Sequence, residues 1–556
     1  MGIESVNSFL SKEFIYILYV VLALILWFFY KSNVFKKLLR ELSQHKSFFI
    51  LSFIVAISVI LTMNPFNALV YYDEPQYVES TRNLVENGNC LICSTGSELE
   101  CEQSYLAPTG IGIFMIYSFF YASDYSLFSL KISVFNIAMH LLNSVILFAI
   151  SQQLFKKSIT PYICSLLVLF APFGLIHSSS PTAIIFANTL FLLSIYGFIL
   201  YYIGRHENRT NGISDTIYQK SASEEKKINE LSELGFFVIF CLILLSTIRV
   251  EFILLLLLAS LYFLFDCYKY FLRKNFRLIL KKHKAKLVLF IFIGFIFSVL
   301  FIFFNWYQSA FFYTRANLTL FSLNDVIHYF TRTSFVVLNV FLIVPFFVVA
   351  MHYDKILKKN ATKSLFVLLA MIFIFYVCFF SIKNTGQQFR YLIPITSIYV
   401  LISSAGIIYV CERFFGKGFV SKSVITIIVV LVCLNFVIYA YSEKKNILNV
   451  RLCEIWLFDY LLSNEFKELS LDLSKQNSYF FATTPFLFEI NDIKNYTGDF
   501  DIAFKQLAKG NNVYYLRNYF RTEFDDDSRF ILDYFESSMP MCPYYGLAKV
   551  SRVQKQ

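Results

Sequence analysis

The chain carries little charge for its length. Only 16% of its 556 residues are Asp, Glu, Lys or Arg, whereas 57% are hydrophobic and the mean hydropathy is +0.59. A soluble chain of this length needs more charge to cover its surface. The composition therefore excludes an ordinary soluble protein and indicates a membrane protein. The 66 Phe and 37 Tyr suit lipid-facing surfaces and interfacial belts.

Other common features are also missing: a cleavable signal peptide, an internal repeat and a low-complexity linker. The first apolar run, 14–30, can span a bilayer and has no basic segment before it, so we expect a retained helix. No second CxxC or His pair accompanies Cys90 and Cys93, and no metal site is predicted. In polar segments predicted to lie outside the cytoplasm, some of Cys90, Cys93 and Cys101 could instead form disulfides, and Cys453 could pair with Cys542.

Apolar runs predict about a dozen membrane-spanning helices, because roughly 20 apolar residues cross the hydrocarbon core. The predicted spans are 14–30, 47–63, 127–155, 159–176, 183–203, 234–248, 252–267, 287–304, 335–351, 364–381, 391–410 and 423–441. A further apolar segment, 108–122, would invert every later loop if it crossed, so we predict an interfacial or re-entrant helix there.

Lys and Arg collect in alternate loops, as is typical of cytoplasmic loops. The basic loops are 31–46, 204–233, 268–286, 352–363 and 411–422. The net charge of +11 therefore reflects membrane topology rather than nucleic-acid binding. Both termini and the first long loop, 64–126, are predicted to lie outside the cytoplasm.

The C-terminal part differs in character, with charge runs and short β-like stretches at 479–482 and 512–516 around an amphipathic segment, 501–509. We therefore predict an all-α polytopic membrane bundle with a small C-terminal α/β domain. The membrane domain is predicted at 1–441 and the extracytoplasmic α/β domain at 442–556.

Two carboxylates, Asp73 and Glu74, follow the second predicted span. A low-dielectric border raises the pKa of a carboxylate unless a cation or metal compensates. An Asp held there can take a proton from an attacking hydroxyl. The alternative is an acidic flank that merely faces water.

Arg249 and Glu251 interrupt the apolar stretch 235–265. Both flanks are basic, so the stretch must turn back, and arms of ~15 residues reach only ~22 Å. The tip is therefore predicted to be recessed below the outer surface, where a charge indicates function by default. A structural ion pair is the alternative.

Gln387, Arg390 and Tyr391 lie at the outer end of a late predicted span. Arg suits phosphate because its planar guanidinium donates parallel hydrogen bonds. The alternative is an interfacial Arg whose side chain snorkels to water. His140, in the middle of a span, is expected to be a satisfied packing residue.

In their order along the chain, these motifs resemble the GT-C superfamily of polyprenyl-phosphate-dependent glycosyltransferases, in particular the protein mannosyltransferase and aminoarabinose transferase branch. The matching residues are Asp73, Glu74 and Tyr77; Tyr105, Pro108 and Gly110; and Arg390, Tyr391 and Pro394. The resemblance covers the membrane part, and the chain departs from it by one extra N-terminal span. The C-terminal domain matches nothing in that pattern.

The resemblance implies an inverting hexosyl- or pentosyltransferase of the cell envelope, multi-pass in the plasma membrane with its active site outside. Its donor would be a polyprenyl-phosphate-linked sugar, and its acceptor a hydroxyl on a lipid, glycan or protein. Membrane lipids would be further partners, and nucleic acid would not. Asp73 would be the base and Glu74 a second catalytic carboxylate. The implied substrate-binding residues are Tyr77, Tyr105, Arg249, Glu251, Gln387, Arg390 and Tyr391.

No cofactor is required by this chemistry, because a phosphate leaving group needs cations rather than a protonating acid. A divalent cation at Asp73 and Glu74 is still compatible with it. A lipid or solute transporter or flippase is the main alternative and predicts repeat-related halves with polar residues near the midplane. A structural or receptor-like protein would leave Arg249 without a role.

Overall fold

The structure is a computed structural model. It describes residues 13–63, 73–96, 101–106, 111–123, 125–155, 159–180, 182–210, 222–249, 252–271, 340–357, 360–382, 393–461, 463–474, 478–482, 495–497, 499–517, 529–534 and 546–552. The chain divides into two compact units. Unit 1 comprises Met1–Tyr16, Phe66–Ile132 and Ser442–Gln556, and unit 2 comprises Ile17–Pro65 and Ser133–Tyr441.

Helices make up most of the described chain. Those of its first half are α1 (Glu13–Lys31), α2 (Val34–Gln44), α3 (Lys46–Met63), α4 (Asp73–Asn87), α5 (Ile111–Ser118), α6 (Tyr125–Phe155), α7 (Thr160–Leu169), α8 (Pro172–His177), α9 (Ala183–Thr210), α10 (Ala222–Ile248) and α11 (Ile253–Phe271). Those of its second half are α12 (Val340–Ile356), α13 (Asn360–Ile382), α14 (Ile393–Phe415), α15 (Phe419–Leu461), α16 (Asn464–Ser474) and α17 (Phe500–Ala508).

Seven described helices are long and apolar enough to cross a membrane. Their apolar spans are Phe14–Lys31, Lys46–Met63, Leu127–Phe155, Ala183–His206, Glu230–Ile248, Thr396–Phe415 and Phe419–Lys445. Shorter apolar helices cover Thr160–Leu169, Ile253–Phe263 and Thr362–Tyr376. This confirms the prediction of a helical multi-pass membrane protein. The predicted span 287–304 lies outside the described residues.

The described spans differ in how deeply they are buried. The spans of α9 and α10 are 89% and 78% buried, whereas those of α1, α3 and α15 are each 28% buried. The first pair therefore forms the centre of unit 2, and the other three spans leave most of their surface for lipid.

Small residues let helices of unit 2 approach closely, as is common inside membranes. A Cβ placed on Gly406 of α14 would lie 2.2 Å from the carbonyl oxygen of Pro345 in α12. A Cβ on Gly197 of α9 would lie 2.9 Å from the Val238 side chain of α10. The backbone contact at Gly406 leaves room only for glycine, whereas at Gly197 a larger residue would require the Val238 side chain to shift.

The predicted span 159–176 is divided between two helices. The chain forms α7 and then α8, which begins at Pro172. Proline lacks the N–H that would continue the α7 ladder, and it fits the first turn of a new helix. The segment predicted as interfacial or re-entrant, 108–122, contains the eight-residue α5, which is only ~12 Å long.

The arms of the hairpin around Arg249 are longer than the sequence predicts. α10 has 27 residues and α11 has 19, which corresponds to ~40 Å and ~28 Å. The estimate of ~22 Å per arm was wrong, because charged residues before Gly235 and after Phe265 continue the helices.

Unit 1 contains a seven-stranded mixed sheet with the strand order β2-β1-β4-β3-β5-β7-β6. The strands are β1 (Leu91–Gly96), β2 (Cys101–Leu106), β3 (Ser478–Phe481), β4 (Tyr496–Thr497), β5 (Asn512–Arg517), β6 (Phe530–Tyr534) and β7 (Gly546–Arg552). The parallel strands β4, β3 and β5 are central. The antiparallel hairpins β1–β2 and β7–β6 flank them.

Helix α17 covers one face of this sheet. Phe500, Phe504 and Leu507 recur at helical spacing and pack on a core that includes Phe481 and Val513. Asp499 caps the helix, since its carboxylate accepts a hydrogen bond of 2.8 Å from the Asp501 N–H. The small C-terminal sheet domain expected from the sequence is thus present, and the first-loop hairpin β1–β2 is added to its edge.

Candidate functional site

Helix α4 opens the described part of the first long loop. It begins at Asp73, so Asp73 and Glu74 occupy its first turn. Carboxylates there interact favourably with the partial positive charge of a helix N-terminus. The structure therefore defines the backbone position of both residues in the first turn of α4.

Tyr77 lies one turn further along α4 and is buried, with 3% of its surface exposed. Its ring centroid lies 6.2 Å from that of Phe114 and 6.4 Å from that of Tyr117, both in α5. The buried short helix α5 is thus the platform against which α4 packs. Tyr77 fixes the first turn of α4 through this packing.

The far end of α4 is held by a hydrogen-bonded trio. The Tyr121 hydroxyl donates to one carboxylate oxygen of Glu86, and Arg82 Nε lies 3.0 Å from the other. Burial raises the pKa of Glu86, but the Tyr121 hydrogen bond and the Arg82 charge lower it by more, so the pKa lies below its ordinary value. Burial and the Glu86 carboxylate raise the pKa of Tyr121 to about 12.

The connection from α4 to β1 does not support the disulfide prediction. Cys90 is a free, fully buried thiol, and burial raises its pKa to about 12. Cys93 pairs with Ser104 and Cys101 with Gly96 in the β1–β2 ladder. The two cysteines are therefore about 10 Å apart along the strands, beyond the ~7 Å Cα separation that a disulfide spans.

Tyr105 lies on β2, opposite Ile92 of β1. Strand β1 in turn pairs with β4, with Thr95 opposite Thr497 and Gly96 opposite Tyr496. Four predicted site residues thus belong to the same compact unit as the C-terminal sheet: Asp73, Glu74, Tyr77 and Tyr105.

Arg249 lies at the tip between α10 and α11 in unit 2. Its N–H donates to the Leu245 carbonyl at 2.8 Å, and its carbonyl accepts from the Phe252 N–H at 3.1 Å. Thr247 and Phe252, on either side, are fully buried, whereas Arg249 is half-buried. The backbone turn at the tip is therefore tight, and the side chains on either side of Arg249 are enclosed by protein.

Phe252 extends this enclosure. Its ring centroid lies 5.4 Å from that of Phe191 in α9 and 5.2 Å from that of Tyr376 in α13. Aromatic contacts from neighbouring helices thus hold the tip that carries Arg249. The predicted residues Glu251, Gln387, Arg390 and Tyr391 lie outside the described residues.

A polar stripe on α6, of which only His140 was predicted from the sequence, is buried in unit 2. It consists of Ser133, Asn136, His140 and Asn143, spaced three or four residues apart within an apolar span. That spacing was visible in the sequence and puts polar groups on one helix face.

The polar stripe bonds to backbone carbonyls of interrupted helices. Ser133 Oγ donates to the Ser179 carbonyl at 2.7 Å, and Asn136 Nδ2 donates to the Ser180 carbonyl at 2.6 Å. His140 Nε2 lies 2.9 Å from the carbonyl of Leu169, where α7 ends. His140 is therefore a satisfied packing residue. In the part of the chain that the structure describes, no three His, Cys, Asp or Glu side chains converge as metal ligands would.

The fold is similar to those of solved ArnT and AglB structures, in line with the resemblance to the GT-C superfamily. ArnT from Cupriavidus metallidurans superposes with a TM-score of 0.52 at 10% identity, over 91% of this chain and 98% of that one. Its complex with undecaprenyl phosphate gives 0.50. The oligosaccharyltransferase AglB from Archaeoglobus fulgidus, in complex with an inhibitory peptide and a dolichol-phosphate, gives 0.52 at 10% identity, over 85% of this chain and 69% of that one. No protein-family model and no curated protein matches the sequence.

Proposed function

We propose that the chain is a plasma-membrane glycosyltransferase that moves a sugar from a polyprenyl-phosphate donor to an acceptor hydroxyl outside the cytoplasm. The observation that carries the proposal is the GT-C fold, shared along 98% of an ArnT chain that also has a structure with undecaprenyl phosphate bound. The Lys and Arg distribution supports the sidedness. A hexosyl or pentosyl donor sugar and a lipid, glycan or protein acceptor are all compatible with the site.

In this proposal Asp73 removes the proton of the acceptor hydroxyl, which attacks the anomeric carbon with inversion. The polyprenyl phosphate departs as an anion, and Arg390, with Arg249, stabilises its charge. Glu74 and Tyr77 keep Asp73 in position, a role supported by the burial of Tyr77 against α5.

The remaining predicted residues would contact the substrates. Tyr105, Glu251, Gln387 and Tyr391 are proposed as donor or acceptor contacts. The reaction needs no cofactor. The carboxylates of Asp73 and Glu74 offer the oxygen ligands that a divalent cation prefers, and a cation held there would neutralise charge on the phosphate.

Asp73→Asn tests the proposal, because it keeps the shape and removes the basic group. Loss of a general base costs ~10²–10⁴ in rate. Cell-envelope glycans from cells that carry each variant are compared by mass spectrometry, and we expect the product glycan to disappear. Asp501→Asn is the matched control, since Asp501 is also an acidic residue in the first turn of a helix.

Equal expression of both variants shows that the helix-terminus charge is not needed for folding. Glycan levels within a few-fold of wild type in Asp73→Asn would contradict the assignment of the base. Unchanged glycans in cells that lack the whole chain would contradict glycosyl transfer itself and favour the transporter or flippase.

A further inference from the structure

Helix α2 is held at a membrane surface by its connections. It follows the span of α1 after Ser32 and Asn33, and His45 alone separates it from the span of α3. Asn33 has a left-handed backbone with φ of 60°, which permits the sharp turn. Two residues reach at most ~7 Å, so the 11 residues of α2 cannot leave the bilayer surface.

One side of α2 is fastened to unit 2. Lys37 Nζ lies 3.3 Å from Glu230 Oε1 at the start of the α10 span. His45, just after the helix, is 2.9 Å from the Tyr162 hydroxyl of α7. Glu41 is buried on this side. These contacts fix which face of α2 is turned away from the protein.

The opposite side combines cations with large apolar groups. Phe35 and Leu39 are 40% and 46% exposed, and they are four residues apart on one helix face. Lys36 and Arg40 are exposed beside them, with the same spacing. Phe35 packs in part on Phe29 of α1, with ring centroids 5.6 Å apart. At a bilayer surface the exposed parts of Phe35 and Leu39 enter the acyl boundary while the cations meet headgroups.

The end of α1 adds to the same surface. Lys31 Nζ lies 5.0 Å from the ring centroid of Trp27, and Lys36 Nζ lies 5.6 Å from that of Tyr30. Trp and Tyr favour the membrane interface, so these cations are held at headgroup depth.

We propose that the outer face of α2 and the end of α1 bind the headgroup of an anionic phospholipid through Lys31, Lys36 and Arg40. Arg offers a fork that matches phosphate, and the two lysines supply point charges. An acidic soluble protein fits less well, because Phe35 and Leu39 would then have to leave the lipid. This site is independent of the proposed glycosyl transfer.

Trp27 is a built-in reporter for the test. The chain contains three Trp, so W306F/W456F leaves Trp27 alone beside the proposed site. The full chain is placed in phosphatidylcholine nanodiscs that contain the same mole fraction of 6,7-dibromo phosphatidylglycerol or 6,7-dibromo phosphatidylcholine. We expect the brominated phosphatidylglycerol to quench Trp27 fluorescence at least about twofold more than the brominated phosphatidylcholine does, because basic residues enrich anionic lipid around them.

Charge-neutral variants locate the effect. K36Q/R40Q should abolish the excess quenching, whereas K417Q/K422Q, which removes two exposed cations from another basic loop, should retain it. Salt at about 0.5 M shortens the Debye length to ~4 Å. It should therefore reduce the excess quenching by phosphatidylglycerol in the chain that keeps Lys36 and Arg40. Phosphatidylglycerol retained by the unlabelled chain through purification, measured by mass spectrometry, gives a second readout that needs no Trp replacement.

Equal quenching by the two brominated lipids would overturn the proposal, as would an excess that survives in K36Q/R40Q. An equal loss in both charge variants would mean general attraction of anionic lipid rather than a site on α2. Quenching that is indifferent to lipid charge, together with protection of Trp27 by an acidic protein, would assign the surface to a protein partner instead.

Discussion

Gly406→Ala should separate two helices of the bundle. The new Cβ would lie 2.2 Å from the carbonyl oxygen and 2.6 Å from the carbonyl carbon of Pro345. These are backbone atoms of α12, so no side-chain rotation can relieve the collision. An ordinary contact of ~3.4 Å requires α12 and α14 to move apart by about 1 Å, and overpacking of this kind costs ~1–3 kcal/mol.

Thermal unfolding of the detergent-solubilised chain measures this cost. One kcal/mol shifts Tm by ~2–4 °C in domains of 150–250 residues, so we expect a decrease of roughly 2–12 °C. Gly418→Ala is the matched control, because a Cβ there meets nothing within 4 Å. If the two variants unfold within about 1 °C of each other, the close approach of α12 and α14 is not what requires glycine.

Two further substitutions test contacts described above. Gly174→Ala would place a Cβ 2.2 Å from the His140 ring. The collision would break the hydrogen bond from His140 to the Leu169 carbonyl, at a cost of ~1–3 kcal/mol. In thermal unfolding, His140→Ala should therefore destabilise the Gly174→Ala chain less than it destabilises the native chain. Tyr121→Phe removes the bond that helps to lower the pKa of Glu86 below 4.5 and to raise that of Tyr121 from 10.0 to about 12. The lowered carboxyl pKa contributes stability that is lost as pH falls below its ordinary value, and the raised phenol pKa contributes stability that is lost as pH rises toward about 12. The Tm difference from wild type should thus be greatest between about pH 6 and 9, and a difference that is independent of pH would contradict this assignment.

Local hydropathy predicts the membrane helices well, because each span must satisfy its own backbone within a run of apolar residues. The run 14–30 is found as α1, Glu13–Lys31, and the run 47–63 as α3, Lys46–Met63. The same logic fails at helix ends outside the hydrocarbon. The run 423–441 is part of α15, whose 43 residues continue to Leu461, since Glu, Lys and Leu remain good helix formers in water.

The C-terminal strands were also visible locally. The stretches 479–482 and 512–516 appear as β3 and β5, and the amphipathic segment 501–509 appears as α17. Their alternation of strand and helix is encoded in neighbouring residues. The pairing of β1 with β4 was not visible, because it joins segments with no shared pattern and rests on two residue pairs.

The candidate site was predicted only in its parts. The sequence placed Asp73 and Glu74 after a span, and the structure adds that they begin a helix supported by Tyr77. The polar stripe around Asn136 was not predicted, because its hydrogen-bond partners lie in the connection from α8 to α9. The sequence of α6 alone does not show that this connection packs against it.

The pairing of β1 with β4 also orders the assembly of the protein in time. Thr95 and Thr497 meet across about 400 residues of chain, so the ribosome releases β4 only after every described membrane span has been made. Until then the β1–β2 hairpin has no neighbour on the β1 side, and an isolated hairpin is only marginally stable. The helix that begins with Asp73 is therefore attached to its complete sheet last. Synthesis of the C-terminal strands, rather than insertion of the first spans, completes the surroundings of the proposed catalytic residue.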